Sequence, residues 1–100
     1  MSPMTAIGFI ETYGRVGAVE AADAALKAAD VKLISIRKVS GGLVTVIIKG
    51  EVAAVQSAVE AAKIKAMRLC RIVNTNIIPG PADSTLEIIA KIRKRQRSNL

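Results

Sequence analysis

The stretch Val31-Lys32-Leu33-Ile34-Ser35-Ile36-Arg37-Lys38-Val39-Ser40-Gly41-Gly42-Leu43-Val44-Thr45-Val46-Ile47-Ile48-Lys49 decides the fold. Two β-rich runs, Val31 to Val39 and Leu43 to Lys49, flank Ser40-Gly41-Gly42, and the paired glycines supply the positive φ that a tight antiparallel connection demands. A hairpin is expected here. Toward the N-terminus, Val16, Val19, Ala22, Leu26 and Ala29 recur at spacings of three and four. This predicts an amphipathic helix with that set inward and Glu20, Asp23, Lys27 and Asp30 elsewhere. Asp23 and Lys27 also stand in the favourable acid-first i,i+4 order. Before the helix, the short apolar run Ala6 to Ile10, followed by Gly14, reads as a strand. Toward the C-terminus, Glu51 to Ala66 predicts a second helix with Val52, Val55, Val59 and Ala62 inward. Glu51 sits where a helix N-terminus favours an acid. Arg68 to Ile78 then reads as a fourth strand.

The resulting order, β-α-β-β-α-β, is that of the ferredoxin-like unit: an α+β fold with a four-stranded antiparallel sheet and two helices on one face. A sheet wetted on its other face should alternate apolar and polar residues. Val44 to Ile48 and Leu33 to Ile36 do not, so the second face needs a cover. After the Pro79-Gly80-Pro81 break, Ser84-Thr85-Leu86-Glu87 matches a capping box, and Leu86, Ile88, Ile89 and Ile92 supply an apolar side. A short C-terminal helix is expected there. The remaining apolar excess predicts a homo-oligomer.

At 100 residues the chain forms one domain, 1–90, followed by a basic tail, 91–100. The tail holds Lys91, Arg93, Lys94, Arg95 and Arg97 without an acid, leaving only +2 of the +7 net charge for the other ninety residues. It reads as a cap on the third helix's dipole, a dock for acidic partners or a solubilising end. Histidine is absent and Cys70 is the one cysteine, which removes the usual general base and every Cys/His metal constellation. No metal, cofactor or catalytic residue is expected. No nucleophile with its base and no paired carboxylates can be assembled either. Cys70, on an apolar strand, reads as a buried thiol, and a lone cysteine fits a reducing compartment. No run approaches the roughly 20 apolar residues that span a bilayer, and Met1 to Ala6 lacks a signal-peptide pattern, so no membrane partner is expected. RNA-binding domains share the β-α-β-β-α-β order but stack bases on strand aromatics. Leu43 to Lys49 has none, so nucleic acid is not an expected partner.

The run Ala6-Ile7-Gly8-Phe9-Ile10-Glu11-Thr12-Tyr13-Gly14 resembles the opening of the bacterial microcompartment hexameric shell proteins. Glu20-Ala21-Ala22-Asp23-Ala24 and Lys27-Ala28-Ala29 resemble their first helix. Gly42 to Val52 resembles their third strand and the entry to their second helix. The likeness covers residues 6–90. It implies a permuted-looking variant of the ferredoxin-like fold, arranged as a homohexamer that tiles with other shell proteins around encapsulated cargo enzymes in the cytoplasm. Small metabolites would cross through a central pore.

The same resemblance assigns the sites. Ser40, Gly41 and Gly42 match the pore loop, with Gly41 at the narrowest point, where amides and the Ser40 hydroxyl would meet polar or anionic solutes. Without the resemblance these residues are simply a hairpin turn. Lys27 matches the lysine of the hexamer edge, with Asp30 beside it as an acceptor or ion-pair partner. Pro79 and Gly80 fall at a second edge contact, where the family pattern Pro-Arg-Pro-His would place an arginine that Gly80 does not supply. Pro79 also resembles the metabolosome branch more than carboxysomes. Glu11 and Thr12 match a pair whose implied role is structural. The competing reading is a ligand-binding regulatory domain of ferredoxin-like fold, which would form dimers or tetramers.

Overall fold

The structure, a computed structural model, describes residues 4–38, 40–68 and 72–80. Its elements are β1 (Thr5–Tyr13), α1 (Arg15–Ala28), β2 (Lys32–Lys38), β3 (Leu43–Glu51), α2 (Val52–Arg68) and β4 (Ile72–Pro79). The four strands form one antiparallel sheet in the order β2-β3-β1-β4. The first and third strands are therefore central, and β2 and β4 are the edges. The expected α+β order holds. The C-terminal helix over 84–92, Cys70 and the tail lie outside the described residues.

Three boundaries differ from expectation. β1 runs to Tyr13 rather than stopping at Ile10, because pairing with β3 continues through Glu11↔Thr45 and Thr12↔Val44. Glu51 ends β3 opposite Thr5 instead of opening α2, and the Val52 amide donates to the Met4 carbonyl at 3.0 Å. β4 begins at Ile72, later than Arg68, because α2 continues through Arg68.

Alternate residues of the strands serve two faces. Ala6, Ile10, Val44, Val46 and Ile48 pack beneath the helices with Val55, Ala58, Val59 and Ala62. Ile7, Phe9 and Ile47 cluster on the helix-free face with Ile34 and Ile78 against them. The two-sided apolar pattern of β3 is thus used on both sides. Gly8 permits close approach of α2, since a Cβ there would stand 2.9 Å from Val55 Cγ1 and 3.0 Å from both Ile48 and Val59.

The inward face of α1 is not the one expected. Gly17, Ala18, Ala21, Ala22 and Ala25 are buried, whereas Val16, Val19 and Leu26 are 73%, 56% and 42% exposed. Small side chains face the small side chains Ala58, Ala62 and Ala66 of α2, which lets the helices and sheet pack closely. Ala22 alone of the expected large-residue stripe is buried with this set; Ala29 is half-buried against it. In α2 the expected Val55, Val59 and Ala62 are buried, and Val52 packs half-buried at the core margin.

Candidate functional site

The residues singled out from the sequence divide between the two ends of the sheet. At one end, Ser40 to Gly42 make a single tight turn between β2 and β3. Gly41 has φ 75° and Gly42 φ 82°, a left-handed backbone that favours glycine. A Cβ on either would meet nothing within 4 Å, so backbone conformation rather than crowding within the chain demands glycine here. Both glycines are exposed. The Gly14 amide, also at positive φ, donates to the Gly42 carbonyl at 2.8 Å, and the Thr12 hydroxyl donates to the Gly14 carbonyl at 3.4 Å. The loop is thereby tied to the start of α1. Tyr13 pairs with Leu43 beside it, and the exposed cations Arg15 and Lys38 flank it.

Sequence reasoning missed Gly14, Arg15 and Lys38 as parts of this end. An isolated glycine directly before a helix was the available signal for Gly14. Lys38 stands two residues before the loop in the sequence, whereas Arg15 becomes its neighbour only once β1 is laid antiparallel to β3.

At the other end stand Lys27, Asp30, Pro79 and Gly80. Lys27 is exposed and pairs with Asp23 at 2.9 Å, one turn back along α1. That carboxylate, by its hydrogen bond and then by its charge, raises the Lys27 pKa from the ordinary 10.5, against slight desolvation and with a further push from Glu20. Lys27 is thus tied to Asp23 and not to Asp30. Asp30 is exposed, and its backbone seats against Gly50, where an added Cβ would lie 3.2 Å from the Asp30 carbonyl oxygen. Gly50 pairs with Ala6, and Ala6 pairs with Pro79, so one row across the sheet links the Asp30 turn to the end of β4. The Gly80 amide donates to the Thr5 carbonyl at 2.9 Å, and the Thr5 hydroxyl donates to the Gly80 carbonyl.

The two ends are separated by the length of β1, nine residues or roughly 27 Å. Glu11 and Thr12 lie nearer the glycine loop. Thr12 is fully buried, while Glu11 is half-buried opposite Thr45. Among the described residues, no group of three or more His, Cys, Asp or Glu side chains is placed to hold a metal, and no helix is long and apolar enough to cross a membrane.

Residues 6–81 match the family model described as the BMC domain. The chain is 40% identical over 97 residues to the bacterial microcompartment shell protein EutM of Escherichia coli strain K12, covering 97% of this chain and all of the relative. It is also 40% identical over 86 residues to the shell protein PduA of Citrobacter freundii, covering 86% of this chain and 92% of the relative. A solved structure of a microcompartment protein from Desulfitobacterium hafniense superposes with a TM-score of 0.69 at 41% identity, over 75% of this chain and 41% of that one. The fold, the strand order and this near end-to-end likeness agree: the chain belongs to the BMC domain family, the shell proteins of bacterial microcompartments.

Proposed function

We propose that the protein is a shell tile that assembles with copies of itself into a cyclic hexamer and with other shell proteins into a microcompartment wall. The wall encloses cargo enzymes, and the tile has no catalytic step of its own. Its ring is centred on Ser40, Gly41 and Gly42, and Lys27, Asp30, Pro79 and Gly80 stand at its rim. The observation that carries this reading is the separation of the two residue groups to opposite ends of one sheet. A ring needs its narrow part and its outer contacts on opposite ends of each subunit, and here β1 spans the distance between them.

The turn favours close approach to an axis because it presents backbone rather than side chains at Gly41 and Gly42. Arg15 and Lys38, repeated around a ring, give its mouth a positive field that favours small anionic or polar metabolites over cations. At the rim, Lys27 extends into solvent from the last turn of α1, where a cation also complements the helix dipole. Gly80 offers no side chain to a neighbour, so lateral contact rests more heavily on Lys27. The regulatory-domain reading is disfavoured by the full-length match to a shell protein.

Negative-stain electron microscopy of the purified protein tests the assembly. Sheets or rings of hexagonal particles with a central stain-filled hole are expected. Lys27→Ala is expected to leave the particles and remove their lateral order. Isolated two-fold or four-fold particles would instead support the regulatory domain.

A further inference from the structure

The outer surface of the two helices carries, at the end near the glycine loop, a patch that folding of the chain does not use. α1 begins at this end, directly after Gly14, whose amide donates to the Gly42 carbonyl. α2 begins at the opposite end, where the Val52 amide donates to the Met4 carbonyl. The helices pack along one another, so the last turns of α2 lie beside the first turns of α1. The Glu20–Lys65 pair, at 3.9 Å, marks where they meet. Val16 stands one turn before Glu20 on the same line of α1 and is 73% exposed. On α2, Ile64 is 51% exposed, and Arg68 follows four residues later on its line. Each helix thus turns a large aliphatic side chain to solvent while its alanines are buried.

Charge at this patch is one-sided. Arg15, Lys65 and Arg68 are exposed, no acid occurs between Ala61 and Arg68, and Glu20 is the single acid beside them. Lys65 and Arg68 complement the dipole of α2, but Arg15 opposes that of α1, whose first turn holds no acid. Among the described residues, neither arginine forms an ion pair. Arg15, Val16 and Ile64 are therefore placed where they contribute little to the stability of the single chain.

We propose that this patch docks an acidic amphipathic helix of a partner protein, with carboxylates on Arg15, Lys65 and Arg68 and an apolar stripe over Val16 and Ile64. Charge complementarity and the interleaved aliphatic side chains together select this occupant, because an apolar stripe flanked by acids presents both features at helical spacing. Neither helix holds an aromatic residue on which the bases of a single-stranded nucleic acid could stack. A second copy docked patch to patch would bring three cations against three. The patch is complete within one chain, so the inference stands apart from the shell reading.

The test is fluorescence anisotropy with the full chain and a labelled peptide of about 15 residues, leucine at spacings of three and four and glutamate elsewhere, long enough to span α1. The same residues in scrambled order, a lysine-for-glutamate version and a DNA duplex serve as comparison probes. Saturable binding of the ordered acidic peptide is expected, weakening as salt rises, with little binding of the scrambled and lysine peptides. Arg15→Glu combined with Arg68→Glu, and separately Val16→Ser combined with Ile64→Ser, are each expected to weaken binding by roughly tenfold in chains that circular dichroism shows to be folded. No binding, equal binding of the scrambled peptide, tighter binding of the duplex, or unchanged binding by either folded double variant would overturn the proposal. Native mass spectrometry of the same samples separates the two readings. A ring of six that ignores the peptide overturns the docking alone, and a chain that binds it without forming a ring supports the docking and contradicts the shell tile.

Discussion

The glycine-loop end and the Lys27 end of the sheet are specified by different kinds of chemistry. The loop end depends on backbone: three positive-φ glycines, Gly14, Gly41 and Gly42, and an amide-to-carbonyl tie between the first and the last. The far end has its own backbone tie, from the Gly80 amide to the Thr5 carbonyl, and adds a charged side chain, Lys27, exposed and held by Asp23. The loop end should therefore be sensitive to any added Cβ, because shape is what it contributes. The far end should tolerate most changes in stability terms yet lose assembly when one charge is removed.

The largest expected effect lies between the two ends. Gly8→Ala pushes a Cβ into Val55, Ile48 and Val59 and should destabilise the domain by about 1–3 kcal/mol, read by chemical denaturation. A smaller loss would mean that α2 is less closely seated than described. Next, Gly42→Ala meets no atom but forces alanine to φ 82°, a strain of about 1–2 kcal/mol. Its unfolding midpoint should fall although no contact is lost. If Gly42→Ala were neutral, the distinction between the ends would collapse. Lys27→Ala should leave the unfolding midpoint nearly unchanged, since the pair is exposed, while abolishing ordered arrays in micrographs.

The smallest effect is electrostatic. Because the Lys27 pKa is raised in the folded chain, its pairing contributes fully below about 10.5 and is lost as pH rises through the higher folded value. Asp23→Asn should return the Lys27 titration toward 10.5, as followed by NMR of its side chain. An unchanged titration would show that Asp23 is not the partner.

The fold was legible because strand runs, helical spacing and Ser40-Gly41-Gly42 all pointed to one topology. The burial pattern of α1 was not. Its valines and leucine share a helical period with its alanines, and hydrophobicity alone selects the larger side chains for the interior. What decides otherwise is Ala58, Ala62 and Ala66 on α2, because two faces of small residues pack together and leave Val16, Val19 and Leu26 outside. The grouping of Asp30, Gly50, Ala6 and Pro79 was equally hidden, because it is created by strand register across three pairings.

The mass of the native assembly tests the central claim most directly. Native mass spectrometry of the wild-type protein at micromolar concentration should show a closed ring of six chains, each 10.5 kDa, that persists on dilution. A stable monomer, dimer or tetramer under the same conditions would contradict the shell tile with Ser40, Gly41 and Gly42 at its centre.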